Sequence, residues 1–403
     1  MKQLEEKYIE LLLKRCINFN HSKSLFICYS IESDFIYNVV QKAKEMGITD
    51  IYLHNDNLQN KHDVLSQISV DEIEHHSLFN NKIWDEYALR GASFLILESE
   101  MPGLMDDIDP EKLAKANYIE RATKPIYKKM QMQSQIPWCI ANVPNKIWAK
   151  SIFPNDSEDV AYNKLFTSIC SMCMVDTKNP IESWNLFLKE QQRIVQKLNS
   201  LQISTMHYKN SLGTDIIVEL DSDAIWASAG SLGENAIVNM PTYEIFSTPN
   251  LFKTNGIVYA SKPLVHNGSV ISDFYLEFKD GKVVNYYAKQ GEKLLKGIIE
   301  SDKYSSYLGE VALVNHNSPI SNTGLVYGST LIDENSSCHM ALGGGFEECI
   351  RNGENLTSEE LLKKGVNPST QHVDFMIGTS NLNIEANTNQ GRVLIFKNGN
   401  FNI

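Results

Sequence analysis

Four short segments of this chain carry the residue types from which a metal centre can be assembled. The first is Asn239-Met240-Pro241-Thr242-Tyr243-Glu244-Ile245-Phe246, which follows a glycine-rich run, Ala229-Gly230-Ser231-Leu232-Gly233. The second is Tyr307-Leu308-Gly309-Glu310-Val311-Ala312-Leu313-Val314, a glutamate at the mouth of an apolar strand. The third, Asp333-Glu334-Asn335-Ser336-Ser337-Cys338-His339-Met340-Ala341-Leu342-Gly343, sets Glu334 five residues before His339 and ends in an Ala-Leu-Gly turn followed by Gly344 and Gly345. In the fourth, Gln371-His372-Val373-Asp374-Phe375-Met376-Ile377-Gly378, the spacing of two places imidazole and carboxylate on one face of a strand.

With 49 acidic residues in the chain, no single glutamate is informative. An acid or histidine inside an apolar or glycine-bounded segment is, because a buried charge needs a partner or a metal. Together the segments offer the carboxylates Glu244, Glu310, Glu334 and Asp374 and the imidazoles His339 and His372. Carboxylates able to bridge, with histidines completing the shells, suit two divalent cations a few ångströms apart. Each segment alone has a plainer reading. A histidine in an apolar segment can be a hydrogen-bonded core residue, His-x-Asp a surface strand, and Glu310 the start of one. The glycines 343–345 fit a close backbone approach to the site or a tight turn, and both stay open.

The elements that must position these residues fall into two halves. Leu4, Tyr8, Leu11 and Leu12 recur at helical spacing. The unbroken apolar run Ser24-Leu25-Phe26-Ile27-Cys28-Tyr29 reads as a strand covered on both faces. A helix over 34–46, stopped by Gly47, and a strand over 51–54 complete a β-α-β unit. A strand over 93–97, one long helix over 110–132, a strand over 136–141, and helices over 159–174 and 181–201 follow. The first half is expected as an α/β domain, residues 1–200, with a mostly parallel sheet. Residues 201–403 are expected as a mixed domain rich in antiparallel strands that carries the metal site. There, strands over 274–278 and 282–287 flank the turn Lys279-Asp280-Gly281, a helix spans 292–300, and 393–396 with Asn398-Gly399 closes a second hairpin.

A length of 403 residues exceeds one compact core. The content of 42% apolar and 21% charged residues is ordinary for a soluble globular chain. A net charge of -12 supplies no basic face for nucleic acid or an anionic membrane, and no apolar run reaches the roughly 18 residues of a bilayer span. The charged start reads as no signal peptide. The seven scattered cysteines fit reduced thiols in the cytoplasm, and the lone pair Cys170 and Cys173 fits buried structural thiols rather than zinc. No Gly-x-Gly-x-x-Gly or Walker loop follows any strand, so a nucleotide site has no support.

These four segments resemble the metal-binding motifs of the thermophilic aminopeptidase family of metallopeptidases, the aminopeptidase T and aminopeptidase S group. That family carries Pro-Thr-x-Glu-x-Phe, Leu-Gly-Glu-Val-Ala-Leu-Val, Asp-Glu-Asn-x-x-x-His-x-Ala-Leu-Gly and His-x-Asp-x-Met-Ile-Gly segments, in that order. Flanking runs such as Asn317-Ser318-Pro319-Ile320-Ser321 and Ser261-Lys262-Pro263-Leu264 are similar too, so the resemblance covers most of the chain. It implies Glu244, Glu310, Glu334, His339, His372 and Asp374 as ligands of two divalent ions, whether zinc, cobalt, manganese or magnesium. It also implies a homodimer that releases N-terminal residues from peptides with a free amine. Glu310 is the candidate to carry the proton to the leaving amine, and the resemblance equally permits it as a ligand.

Two departures stand out. The family tyrosine seven residues after the motif histidine is Phe346 here, which has no hydroxyl to donate to an oxyanion. Tyr243 stands where the family often has a second acid. The rival expectations are therefore a catalytically impaired metal-binding homologue and a dinuclear hydrolase of another small amide.

Overall fold

The computed structural model describes residues 1–19, 22–229, 236–266 and 269–403. The glycine-rich run that precedes the first segment lies outside the described residues at positions 230–233. The chain divides into two compact units. One comprises Met1–Asn185 with Leu232–Pro241, and the other Leu186–Ser231 with Thr242–Ile403.

In the first unit, five parallel strands lie in the order Asp50–Asn55, Ser24–Tyr29, Ser93–Glu98, Trp138–Asn142 and Asn239–Met240. The central strands are apolar on both faces because helices cover both, so Leu25, Phe26 and Ile27 are wholly buried. Phe26 packs at ring distances of 4.6 Å from Trp84 and 5.0 Å from Phe94. Gly47 ends the helix Asp34–Glu45 at a φ of 91° that side-chain-bearing residues avoid.

The single helix expected over 110–132 is two helices, Pro110–Ala122 and Pro125–Met132. Proline bars its predecessor from helical geometry, and Lys124 accordingly turns away at φ -131° and ψ 53°. Helices at Leu58–Gln67, Lys82–Leu89 and Lys146–Ile152 occupy stretches for which the pattern gave no element.

The second unit holds two antiparallel sheets. In the larger, Ser269–Lys279 pairs with Lys282–Gln290 through a turn in which Asp280 and Gly281 both have positive φ, as a primed turn requires. The smaller sheet runs His372–Met376, His339–Gly343, Leu308–Leu313, Ile245–Ser247 and Ala227–Ser228. It carries Glu310, His339, His372 and Asp374, while Glu244 directly precedes Ile245–Ser247 and Glu334 ends the helix Thr330–Glu334. The Ala-Leu-Gly expected as a turn completes the strand His339–Gly343, and Glu310 is third in its strand rather than at the mouth.

Period-two alternation sorts this smaller sheet into two faces. Val311 and Leu313, Met340 and Leu342, and Val373 and Phe375 all join one hydrophobic core. The intervening residues Glu310, His339, Ala341, Gly343, His372 and Asp374 take the opposite face. Register aligns them: Glu310 pairs with Ala341, Ala341 with Asp374, and Gly343 with His372. The buried Ala341 thus stands between Glu310 and Asp374. A side chain at Gly343 would collide with the Gln371 carbonyl, a close approach between neighbouring strands rather than to the site.

Candidate metal centre

The sheet brings five of the six sequence-derived residues into two groups. Glu244, Glu310 and His339 offer ligand atoms within 4.8 Å of one another, and so do Glu310, His372 and Asp374. Glu310 belongs to both. One of its oxygens lies 3.9 Å from His339 Nε2 and the other 3.1 Å from His372 Nε2. Glu244 Oε2 stands 3.1 Å from His339 Nε2, and Asp374 Oδ1 stands 3.3 Å from His372 Nε2. Glu334 joins neither group, yet its carboxyl is pushed well above the usual range by burial and by the charges of Glu244 and Asp374.

Both imidazoles are aimed by backbone carbonyls. His339 Nδ1 lies 3.1 Å from the Ser337 carbonyl and His372 Nδ1 lies 2.8 Å from the Gly344 carbonyl. A carbonyl only accepts, so each Nδ1 carries the hydrogen and each Nε2 is turned toward the carboxylates. Sequence reasoning left these partners unnamed, because a carbonyl has no residue signature. Asn335 is another positioning residue it missed. Its side chain accepts the Tyr243 N–H at 2.6 Å, donates to the Leu331 carbonyl at 3.0 Å and reaches Glu334 Oε1 at 3.4 Å. The Asp-Glu-Asn run was its only signal.

The electrostatics ask for cations. Burial lifts the Glu310 carboxyl to about 7, against the His372 hydrogen bond that lowers it. Burial would depress His339, but Glu244, Glu310 and Asp374 outweigh it and raise the imidazole to about 10. His372 is likewise raised, its desolvation outweighed by Asp374 and Glu310, while the charge of His372 overcomes burial and lowers Asp374. No lysine or arginine is among the principal charges acting on these groups. Asp374 Oδ1 is buried with no hydrogen bond beyond its ion-pair contact with His372 Nε2. Three carboxylates in the two groups, Glu334 near them, and two imidazoles aimed through Nε2 are donors that fit divalent cations.

Phe346 flanks the second group. Its ring lies 5.2 Å from the His372 ring and 5.2 Å from that of Phe246, and its N–H donates to Thr248 Oγ1 at 3.2 Å. Tyr243 packs edge-on against Phe187 at 5.2 Å.

Carboxylates and imidazoles gathered on one face of a sheet, buried apart from the exposed His372, suit the binding of divalent metal. Comparison with known proteins narrows this. The chain matches the thermophilic metalloprotease family, M29, over residues 1–401, and belongs to that family. It is 34% identical over 401 residues to Aminopeptidase 2 of Geobacillus stearothermophilus, covering 98% of this chain and 97% of the relative. It is 33% identical over 408 residues to Aminopeptidase PepS of Streptococcus thermophilus, covering 99% and 98%. The solved structure of wild-type AmpT from Thermus thermophilus superposes with a TM-score of 0.90 at 26% identity, over 100% of this chain and 99% of that one. The expected mixed α/β fold, with one parallel sheet and antiparallel sheets, is the observed one. The chain is thus a metallopeptidase by family, and a divalent metal goes with that membership. No described helix is long and apolar enough to cross a membrane.

Proposed function

We propose that this chain is an aminopeptidase that removes the N-terminal residue of peptides at a centre of two divalent cations. Glu244, Glu310 and His339 would hold one ion, and Glu310, His372 and Asp374 the other. Glu334 would complete the donor set from beside them. The observation that carries this reading is the position of Glu310, whose two oxygens face one histidine each. The names of the relatives support the reaction. Bound divalent ions of this type lower the pKa of water and polarise a carbonyl.

The residues of the chain supply the rest. The Ser337 and Gly344 carbonyls fix both imidazoles, and the apolar face of the sheet anchors the strands from behind. Glu310, the one carboxylate common to both groups, is the candidate to pass a proton to the leaving amine. A ligand role and a proton-carrying role both remain part of the proposal. The packing of Phe346 on His372 favours a second reading, in which the centre assembles but turns over slowly for want of a hydroxyl.

Metal-stripped protein, reloaded with zinc, cobalt, manganese or magnesium in turn, should hydrolyse unblocked aminoacyl chromogenic amides. Blocking the amine should abolish turnover. Silence in the wild type with activity in Phe346→Tyr would establish the second reading. Silence in both despite bound metal would sink the peptidase, and hydrolysis of blocked amides alone would point to a different amide hydrolase.

A further inference from the structure

The helix Pro180–Ser200 gives Ile194, Val195 and Leu198 to the core of the second unit, and Leu188 is buried on the same face. Gln191 stands within that apolar stripe, one turn after Phe187 and one turn before Val195, and is only 3% exposed. A polar side chain there is unfavourable unless it is hydrogen-bonded. Its Nε2 donates to the Glu244 carbonyl at 3.2 Å, while its Oε1 is buried with no hydrogen-bond partner. A methionine would fill the same place without an unpaired oxygen, so the bond to Glu244 is what the carboxamide adds.

The backbone of Glu244 depends on such a hold. Glu244 lies one residue ahead of the strand Ile245–Ser247, whose pairing with both neighbours begins at Ile245, so the ladder does not fix its peptide. Two side-chain amides grip this segment instead. Asn335 accepts the Tyr243 N–H at 2.6 Å, and Gln191 donates to the carbonyl of Glu244 itself. The Tyr243 ring packs on Phe187, from the same helix face as Gln191. Glu310, His339, His372 and Asp374, by contrast, all lie within paired strands.

Resting on the two-ion centre proposed above, we propose that Gln191 is a positioning residue for one of its two ions. By holding the backbone of Glu244 it sets the affinity of the position that Glu244 shares with Glu310 and His339. The position formed by Glu310, His372 and Asp374 does not depend on it.

Cobalt titration of metal-stripped, full-length protein, followed by visible absorption, reads the positions without turnover. Gln191→Met should weaken one cobalt position by about 10- to 100-fold, as for loss of other partners behind metal ligands, and leave the second unmoved. The weakened position should be the one that Glu244→Gln also weakens. Adding Gln191→Met to Glu244→Gln should then change nothing more, because Gln191 acts through Glu244. Urea unfolding of metal-free Gln191→Met should show no loss of stability, since methionine keeps the volume and removes the unpaired oxygen. A destabilised or unfolded variant would assign Gln191 to the core and overturn the proposal. Unchanged cobalt binding, equal weakening of both positions, or a loss that persists in the Glu244→Gln background would overturn it too. Selective loss of one position without hydrolysis of unblocked aminoacyl p-nitroanilides would uphold Gln191 and defeat the peptidase reading. A wild type that binds no cobalt would overturn both.

Discussion

Each of the two units buries a cluster of ionisable groups, and they balance their charges by different means. In the first unit the cluster lies beyond the ends of the parallel strands. Lys61 Nζ stands 3.1 Å from Asp56 and 2.8 Å from Glu120, and Lys124 lies 4.1 Å over the Trp84 ring. Burial would lower Lys61, but Asp56 and Glu120 hold it above the usual lysine range. Glu98, raised to about 7 by burial and then by Asp56, stays largely protonated below neutrality. This cluster carries its own cations. The second unit sets carboxylates around two imidazoles, and no lysine or arginine is among the principal charges acting on Glu310, Glu334, His339, His372 and Asp374. In the centre proposed above, bound cations would supply the neutralising charge, which would separate it from the structural ion network of the first unit.

The sharpest way to break this contrast is Glu310→Gln, which removes the shared carboxylate. Turnover should fall by about 10²- to 10⁴-fold, as for loss of a positioned proton carrier, with bound metal falling alongside and circular dichroism unchanged. Full metal content with lost turnover would assign Glu310 to proton transfer alone. The counterpart in the first unit is Lys61→Met, which strands Asp56 and Glu120. Urea unfolding should show a loss of about 3–5 kcal/mol with metal content intact.

A smaller effect tests the dependence on outside cations. A divalent ion at a hundred times its dissociation constant should stabilise the wild type by about 2.7 kcal/mol. Lys61→Met should gain as much and Glu310→Gln should not, as read by thermal melting with and without chelator.

A further effect is on pH. In metal-free protein His339 is raised from 6.5 to about 10 and Glu310 from 4.5 to about 7, so the folded state holds the extra protons. Their contribution is fully present below the unfolded values and is lost as pH rises through the folded ones. Asp374, lowered by His372, acts the other way, its contribution being lost on acidification. Metal-free protein should melt lower at pH 9 than at pH 6. Metal-loaded protein should not, because bound ligands are already deprotonated. Parallel profiles with and without chelator would contradict this.

What could be read in advance followed physical rules that act locally. Alternation in Val311 to Leu313, Met340 to Leu342 and Val373 to Phe375 assigns one face of each strand to the core and leaves Glu310, His339 and Asp374 on the other. Asp280-Gly281 and Asn398-Gly399 supply positive φ, and both hairpins form there. The break at Pro125 was also legible, since proline restricts its predecessor wherever it stands, but the helical charge pattern across 110–132 masked it.

The sequence by itself determined the residue types, the faces they take and the family to which the chain belongs. Only the tertiary structure decided how those faces meet. Register between strands far apart in the chain makes Glu310 common to two groups and leaves Glu334 beside them. The carbonyls of Ser337 and Gly344 become the partners that aim the imidazoles. The physical reason is that alternation and turn chemistry act over a few residues. Distances between carboxylates, and the burial that shifts their protons, depend on backbone paths that no neighbouring side chain specifies.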